Sequence, residues 1–376
     1  MRRKYVYFLG IVCMFGIFAF FFKTYAPAEY ISAKSEEFVE DLPLPPSRHL
    51  KTPIPVKGIY MTSWVAGTKN WRDKLINFVD KTEINTIVID VKDYSGRISF
   101  EVSDPILVEL EYTEKRISDI ENLIEILHKK NIYVIGRISV FQDPHLAKKR
   151  PDLALKNKSG EVWSDRRGLM WVDPASSEVW DITVAISKEA ERAGFDELNF
   201  DYIRFPSDGN IKDARYPFWD GKMKKSEVIN NFFSYLNENL KDIGVPISAD
   251  IFGMTTVTSN DLNIGQVFED AVKNFDYVSP MVYPSHFAKG FMGYKNPSEF
   301  PYEVIKKALD DARAKTLAIG QDPEKIRPWI QDFNLGTKYD SPMIKKEIKA
   351  VYDSGFSSWL SWDPSNQYTP EAYLKD

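Results

Sequence analysis

Cysteine occurs once, at Cys13, and histidine four times, at His49, His128, His145 and His286. Cys13 lies inside an N-terminal apolar run, so the rest of the chain can form no disulfide and no cysteine-ligated metal site. Four scattered histidines give no basis for a histidine-rich metal centre. No GxGxxG or GxxxxGK stretch occurs, which removes the usual glycine-rich cradles for dinucleotides and nucleotides. No cofactor and no metal are expected. Basic excess is missing too: a net charge of −5 over 376 residues and an isoelectric point near 5.6 argue against a nucleic-acid groove. Aromatics, by contrast, are abundant at 14%, with nine Trp and nineteen Tyr. Core packing accounts for any single ring, but rings at loop ends also suit stacking on sugar faces.

The chain opens MRRKYVYFLGIVCMFGIFAFFFKTY, with three basic residues before an uncharged run of eighteen, Tyr5 to Phe22. That approaches the ~20 residues a helix needs to cross a bilayer. Arg2, Arg3 and Lys4 would stay cytoplasmic and place the bulk of the chain outside. Residues 1–25 are therefore read as a membrane anchor. The rival reading is a signal sequence cleaved near Ala26-Pro27-Ala28, against which stand the length of the run and Lys23. An exported domain without disulfides fits a bacterial-type surface better than an animal secretory route. Residues 26–56 are proline-rich, with LPLPP and TPIP, and read as a stiff extracytoplasmic spacer.

From Lys57 to the end at Asp376 a short β-rich run, a polar loop and an amphipathic helical stretch alternate. The runs are Gly58–Thr62, Thr86–Asp93, Ile132–Val140, a fourth beginning at Phe195, Pro246–Phe252, Asp276–Tyr283, Ile326–Phe333 and Phe356–Asp363. Eight such units in about 310 residues predict a (β/α)8 TIM barrel, preceded by the transmembrane helix and the proline-rich linker. An open doubly wound sheet is the alternative, and it would more often carry a glycine-rich first turn.

In such barrels chemistry sits at the C-terminal ends of the strands. Polar residues collect there: Asp90, Lys92 and Asp93 on strand two, Arg137 on three, Asn199, Asp201 and Arg204 on four, and Asp250 on five. Tyr283 and His286 follow strand six, Gln331 and Asp332 close strand seven, and Trp362 and Asp363 close strand eight. Side chains alternate along a strand, which puts Asp90 with Lys92, Asn199 with Asp201, and Ser248 with Asp250 on one side, the barrel mouth. The bland reading is an ion-pair network closing the barrel. The sharper one is a carboxylate pair, Asp201 and Asp250, of the kind glycosidic cleavage requires: one acid protonated, the other ionised as nucleophile or base. Asp90, Lys92, Arg137, Asn199, Arg204, Tyr283, His286, Gln331, Trp362 and Asp363 are the candidate substrate-binding residues.

Six segments carry a resemblance. VWSDRRGLMWVDP, GFDELNFDYIRFP, SADIFG, VSPMVYPSHF, RPWIQDF and WLSWDPSNQYTPE are similar to those of bacterial proteins grouped as a putative glycosyl hydrolase domain, over about Lys57 to Glu371. The resemblance implies a TIM barrel and a carbohydrate-active role. A more distant likeness is to chitinase-type hydrolases, whose fourth strand reads D-x-x-D-x-D-x-E. The matching positions here are Asp196, Asn199, Asp201 and Ile203, so the glutamate that serves that family as acid is replaced by Ile203. The expectation is a membrane-held glycoside hydrolase acting on an extracellular or cell-wall polysaccharide. Its alternatives are a carbohydrate-binding barrel without catalysis, and metal-assisted hydrolysis through Asp90, Asp93 and His286.

Overall fold

The computed structural model describes residues 48–373. Eight parallel strands close into a barrel in sequence order. They are β1 (Lys57–Met61), β2 (Thr86–Lys92), β3 (Tyr133–Ser139), β4 (Glu197–Asp201), β5 (Ile247–Phe252), β6 (Tyr277–Met281), β7 (Trp329–Gln331) and β8 (Trp359–Trp362). Between them run α1 (Lys69–Asp80), α2 (Ile120–His128), α3 (Ser177–Ala193), α4 (Lys225–Leu240), α5 (Phe268–Asn274), α6 (Pro301–Ala318) and α7 (Ser341–Asp353). β8 is followed, among the described residues, by a single 3-10 turn, Pro370–Ala372, and by the fully buried ring of Tyr373.

The strands are buried on both faces, which their near-continuous apolar runs require. One face packs on the helices. In α3, Val179, Ile182, Ile186, Ala190 and Ala193 recur at helical spacing and are all buried. Gly194 stops α3 at φ 106°, a left-handed conformation that costs glycine little. The other face fills the barrel with Val56, Tyr60, Val88, Tyr133, Ile135, Trp329 and Leu360. At the N-terminal end, Glu197 accepts from Arg327 Nη1 at 2.8 Å and from the Tyr133 hydroxyl at 3.1 Å.

The membrane run Tyr5–Phe22 lies outside the described residues. Among the described residues no helix is long and apolar enough to cross a membrane. Of the expected spacer, residues 26–47 lie outside the described residues, and residues 48–56 do not stand off the barrel. Residues 48–56 lie against the barrel: the Leu50 amide donates to Asp196 Oδ1 at 2.7 Å, Thr52 bonds the Tyr133 hydroxyl, and Val56 is fully buried. Alternation of proline with charge hid Leu50 and Val56, the two apolar side chains that dock this segment.

Gly253, just beyond β5, carries a steric requirement. A Cβ there would sit 2.3 Å from the Met281 carbonyl oxygen, a backbone atom that cannot swing away. Gly253→Ala is expected to cost about 1–3 kcal/mol, read as a lower midpoint in urea unfolding with an unchanged m-value.

Candidate active site

The inward alternation of β2 to β5 brings one cation and three acids to the same level of the barrel. Arg137 Nη1 donates to Asp90 Oδ1 at 2.7 Å. Its Nε donates to Asp201 Oδ2 at 3.1 Å, and Nη2 bonds the same oxygen. Asp250 Oδ2 lies 3.9 Å from that Nε. Two carboxylate oxygens that close to one nitrogen stand at most about 7 Å apart, near enough for paired-carboxylate glycoside hydrolysis. Burial works against charge on Arg137, but Asp201 and Asp90 outweigh it and hold the guanidinium ionised.

Asp250 is set apart from Asp201 by its surroundings. Only 1% exposed, it has its pKa pushed up to about 8, first by burial and next by the charge of Asp201. Its Oδ1 accepts from Trp329 Nε1 at 2.8 Å and from Asn199 Nδ2 at 2.9 Å, which leaves Oδ2 for the proton. Asp90 is also raised by burial, against Arg137 and the Tyr60 hydroxyl that donates to it at 2.5 Å. Tyr60 stacks on Trp362 with ring centroids 3.9 Å apart, and Arg137 lies over both rings.

The raised value at Asp250 has a sign. Between about pH 4 and pH 8 the folded chain holds a proton that the unfolded chain has released, so this group costs stability as pH rises through that window. Asp250→Asn is therefore expected to gain melting temperature relative to the native chain as pH goes from 5 to 9. Parallel thermal melts across that range check it.

A cavity of about 390 Å³ opens above this cluster, with Asp201, Arg204, Tyr283 and His286 in its wall. Burial beside Asp250 and Asp201 keeps the Tyr283 phenol protonated, and burial, then Arg167, lowers the pKa of His286. Tyr202, immediately after β4, sits at φ 54°, where a bulky side chain is strained, and its amide donates to Asp201 Oδ1 at 2.6 Å. That turn aims Asp201 at the cavity and sends Ile203 into the apolar core, at 0% exposure.

The other expected site residues have the following partners. Lys92 is swung aside by an irregularity between Asp90 and Lys92 in the β2–β3 register, and pairs with Asp143 at 2.7 Å while 2% exposed. Gln331, fully buried, accepts from the Ser285 hydroxyl at 2.8 Å and ties the loop after β6 to β7. Asp363 caps its own turn through the amides of Ser365 and Gln367. Asn199 and Arg137 support the floor, and Trp362 is partly exposed beside Tyr60. Asp93 pairs with Arg116, Asp90 with Arg137, and His286 packs on Tyr283 and Phe333, so the three proposed metal ligands have separate partners. Among the described residues no group of three His, Cys, Asp or Glu could hold a metal ion. Trp163 ties its loop to the loop after β4 by donating from Nε1 to the Asn210 carbonyl at 3.1 Å, whereas Trp171 faces the cavity.

The cavity wall also holds Arg167, Tyr202, Asp208 and Phe252. Asp208 was legible only as a loop acid shortly after Pro206. It makes no hydrogen bond or ion pair with another described residue.

The family model described as a putative glycosyl hydrolase domain matches residues 58–368. The chain belongs to that family. No curated protein matches it in sequence. Among solved structures, this domain is similar to the glycoside hydrolase domain of PgaB (BpsB) from Bordetella bronchiseptica, at 10% identity and TM-score 0.61, over 86% of this chain and 99% of that one. It is similar to α-L-fucosidase isoenzyme 2 from Paenibacillus thiaminolyticus, at 14% identity and TM-score 0.55, over 85% and 47%. It is also similar to the C-terminal domain of a putative chitinase from Desulfitobacterium hafniense, at 11% identity and TM-score 0.52, over 85% and 95%. At these identities the likeness is one of fold.

Proposed function

We propose that the chain hydrolyses a glycosidic bond of a polysaccharide outside the cytoplasm, with Asp201 as the carboxylate that meets the sugar. The observation that carries this is the asymmetry of the pair on Arg137. Asp201 lies in the cavity wall with Arg137 bound to it, while Asp250 beneath is held protonated toward pH 8. Asp201 acts as nucleophile or as base for water, and Asp250 holds the proton that the leaving oxygen must receive. Asp250 stands below the cavity wall, in which Tyr283 keeps its phenol protonated beside both carboxylates. The apolar run Tyr5–Phe22 would hold the barrel at the outer face of a membrane.

Asp208 is a second choice of donor, favoured by its place in the cavity wall with no partner among the described residues. Leaving-group chemistry separates the two. A dinitrophenyl glycoside departs without protonation, whereas a natural linkage does not. Loss of the donor is expected to slow the natural linkage about 10²-fold or more and leave the activated one nearly unchanged. Initial rates of Asp250→Asn and Asp208→Asn on both substrates identify which acid it is. Glycan binding with no turnover of any linkage would instead support a carbohydrate-binding barrel without catalysis, a reading favoured by the depth of Asp250.

A further inference from the structure

Arg204 is 8% exposed and lines the cavity, yet it has no carboxylate within 4.0 Å among the described residues. Three rings pack against its guanidinium, with centroids at 4.9 Å for Trp171, 5.3 Å for Tyr202 and 4.7 Å for Phe252. Nη1 is used by the Phe205 carbonyl at 3.1 Å and the Ser207 hydroxyl at 3.2 Å. Nε and Nη2, the two parallel donors that fit a carboxylate side by side, have no hydrogen-bond partner among the described residues.

Nearby acids do not fill that role. Asp201 is bound by Arg137. Asp165 accepts from the amides of Arg167 and Leu169 and from the Trp171 indole. Asp208, though in the same wall, stays beyond ion-pair distance. Burial is the main influence on Arg204 and lowers its pKa, and Tyr202, Asp201, Asp208 and Asp165 do not restore it. A charge in this position is costly until a counter-ion arrives.

We propose that Arg204 receives a carboxylate carried by the sugar, so that the cavity takes an acidic glycan. This rests on the sugar-site reading above. The rings hold the guanidinium plane fixed, the open Nε–Nη2 edge supplies two directed donors, and Arg167 on the exposed rim adds a second cation to the approach. A uronic acid and a lactyl ether both present the required group.

The test uses binding, so that it does not depend on hydrolysis. The full chain carrying Asp201→Asn is titrated calorimetrically with an oligogalacturonide, a glucuronate-bearing oligosaccharide and a muramic-acid-bearing oligosaccharide, each beside its carboxyl-reduced neutral partner. At least one acidic form is expected to bind about tenfold to a hundredfold more tightly than its partner, and the probe that does so distinguishes uronate from lactyl ether. Arg204→Gln is expected to erase the difference while Arg204→Lys keeps part of it. Thermal melts accompany both, and if Arg204→Gln does not melt cooperatively the lysine variant and the reduced-partner comparison decide. Equal binding of acidic and neutral forms, a preference for sulfated sugars, or a difference that survives in Arg204→Gln overturns the carboxylate but leaves the sugar site standing. Binding of no glycan overturns both.

Discussion

Asp201→Asn is expected to lower kcat on a responsive glycan by about 10³-fold or more, with a much smaller change in KM. The amide keeps the shape and the Tyr202 contact but can neither bond the sugar carbon nor take a proton from water. Stability should stay close to native, because Arg137 keeps Asp90 as its partner and one acid is removed from a crowded site. The substitution also removes the second cause of the raised pKa at Asp250, so Asp250 should become more acidic. Initial rates from pH 4 to pH 9, with melting curves of the same preparations, test all three expectations. Unchanged hydrolysis by a stably folded variant would remove Asp201 from the chemistry.

Arg137→Met should produce the largest loss of stability, about 3–5 kcal/mol and a melting temperature lower by roughly 10 °C. One guanidinium serves Asp90 and Asp201 directly and stands 3.9 Å from Asp250, and methionine would leave all three buried without a cation. The sign of the pH effect follows. Without Arg137 the acids can remain buried only by taking up protons, so the loss should shrink toward acid pH and grow toward pH 9. Melting curves of native chain and variant at pH 5, 7 and 9 give the comparison. A constant difference across that range would show that the missing side chain acts through volume and not through charge.

Much of the barrel was legible because parallel strands must be apolar on both faces and end where polarity begins. IYVIGRISV and PISADIF show this, and β3 and β5 fall inside those segments. The helix α3, Ser177–Ala193, is legible in the apolar residues that recur at helical spacing up to Gly194. Asp201, Asp250 and Arg137 were legible as the polar members of inward-facing rows. Lys92 was misplaced because alternation assumes an unbroken register, and the β2–β3 irregularity is set by pairing between strands, not by local sequence. Tyr60 was missed because an aromatic in an apolar run reads as core, although its hydroxyl reaches Asp90 from the neighbouring strand. Asp332 looked like a mouth residue until the C-terminal segment supplied Thr369 and Tyr373 as its partners.

The shared guanidinium links the two acids in time as well as in space. Should Asp201 bond the sugar, its negative charge disappears and Asp250 loses a repulsive neighbour while keeping Arg137 nearby. An acid poised to give up its proton in the first half of the reaction then becomes a conjugate base as the second half needs one. The affinity of Asp250 for its proton would thus rise and fall with each turnover, driven by bond formation at Asp201 and requiring no movement of the barrel.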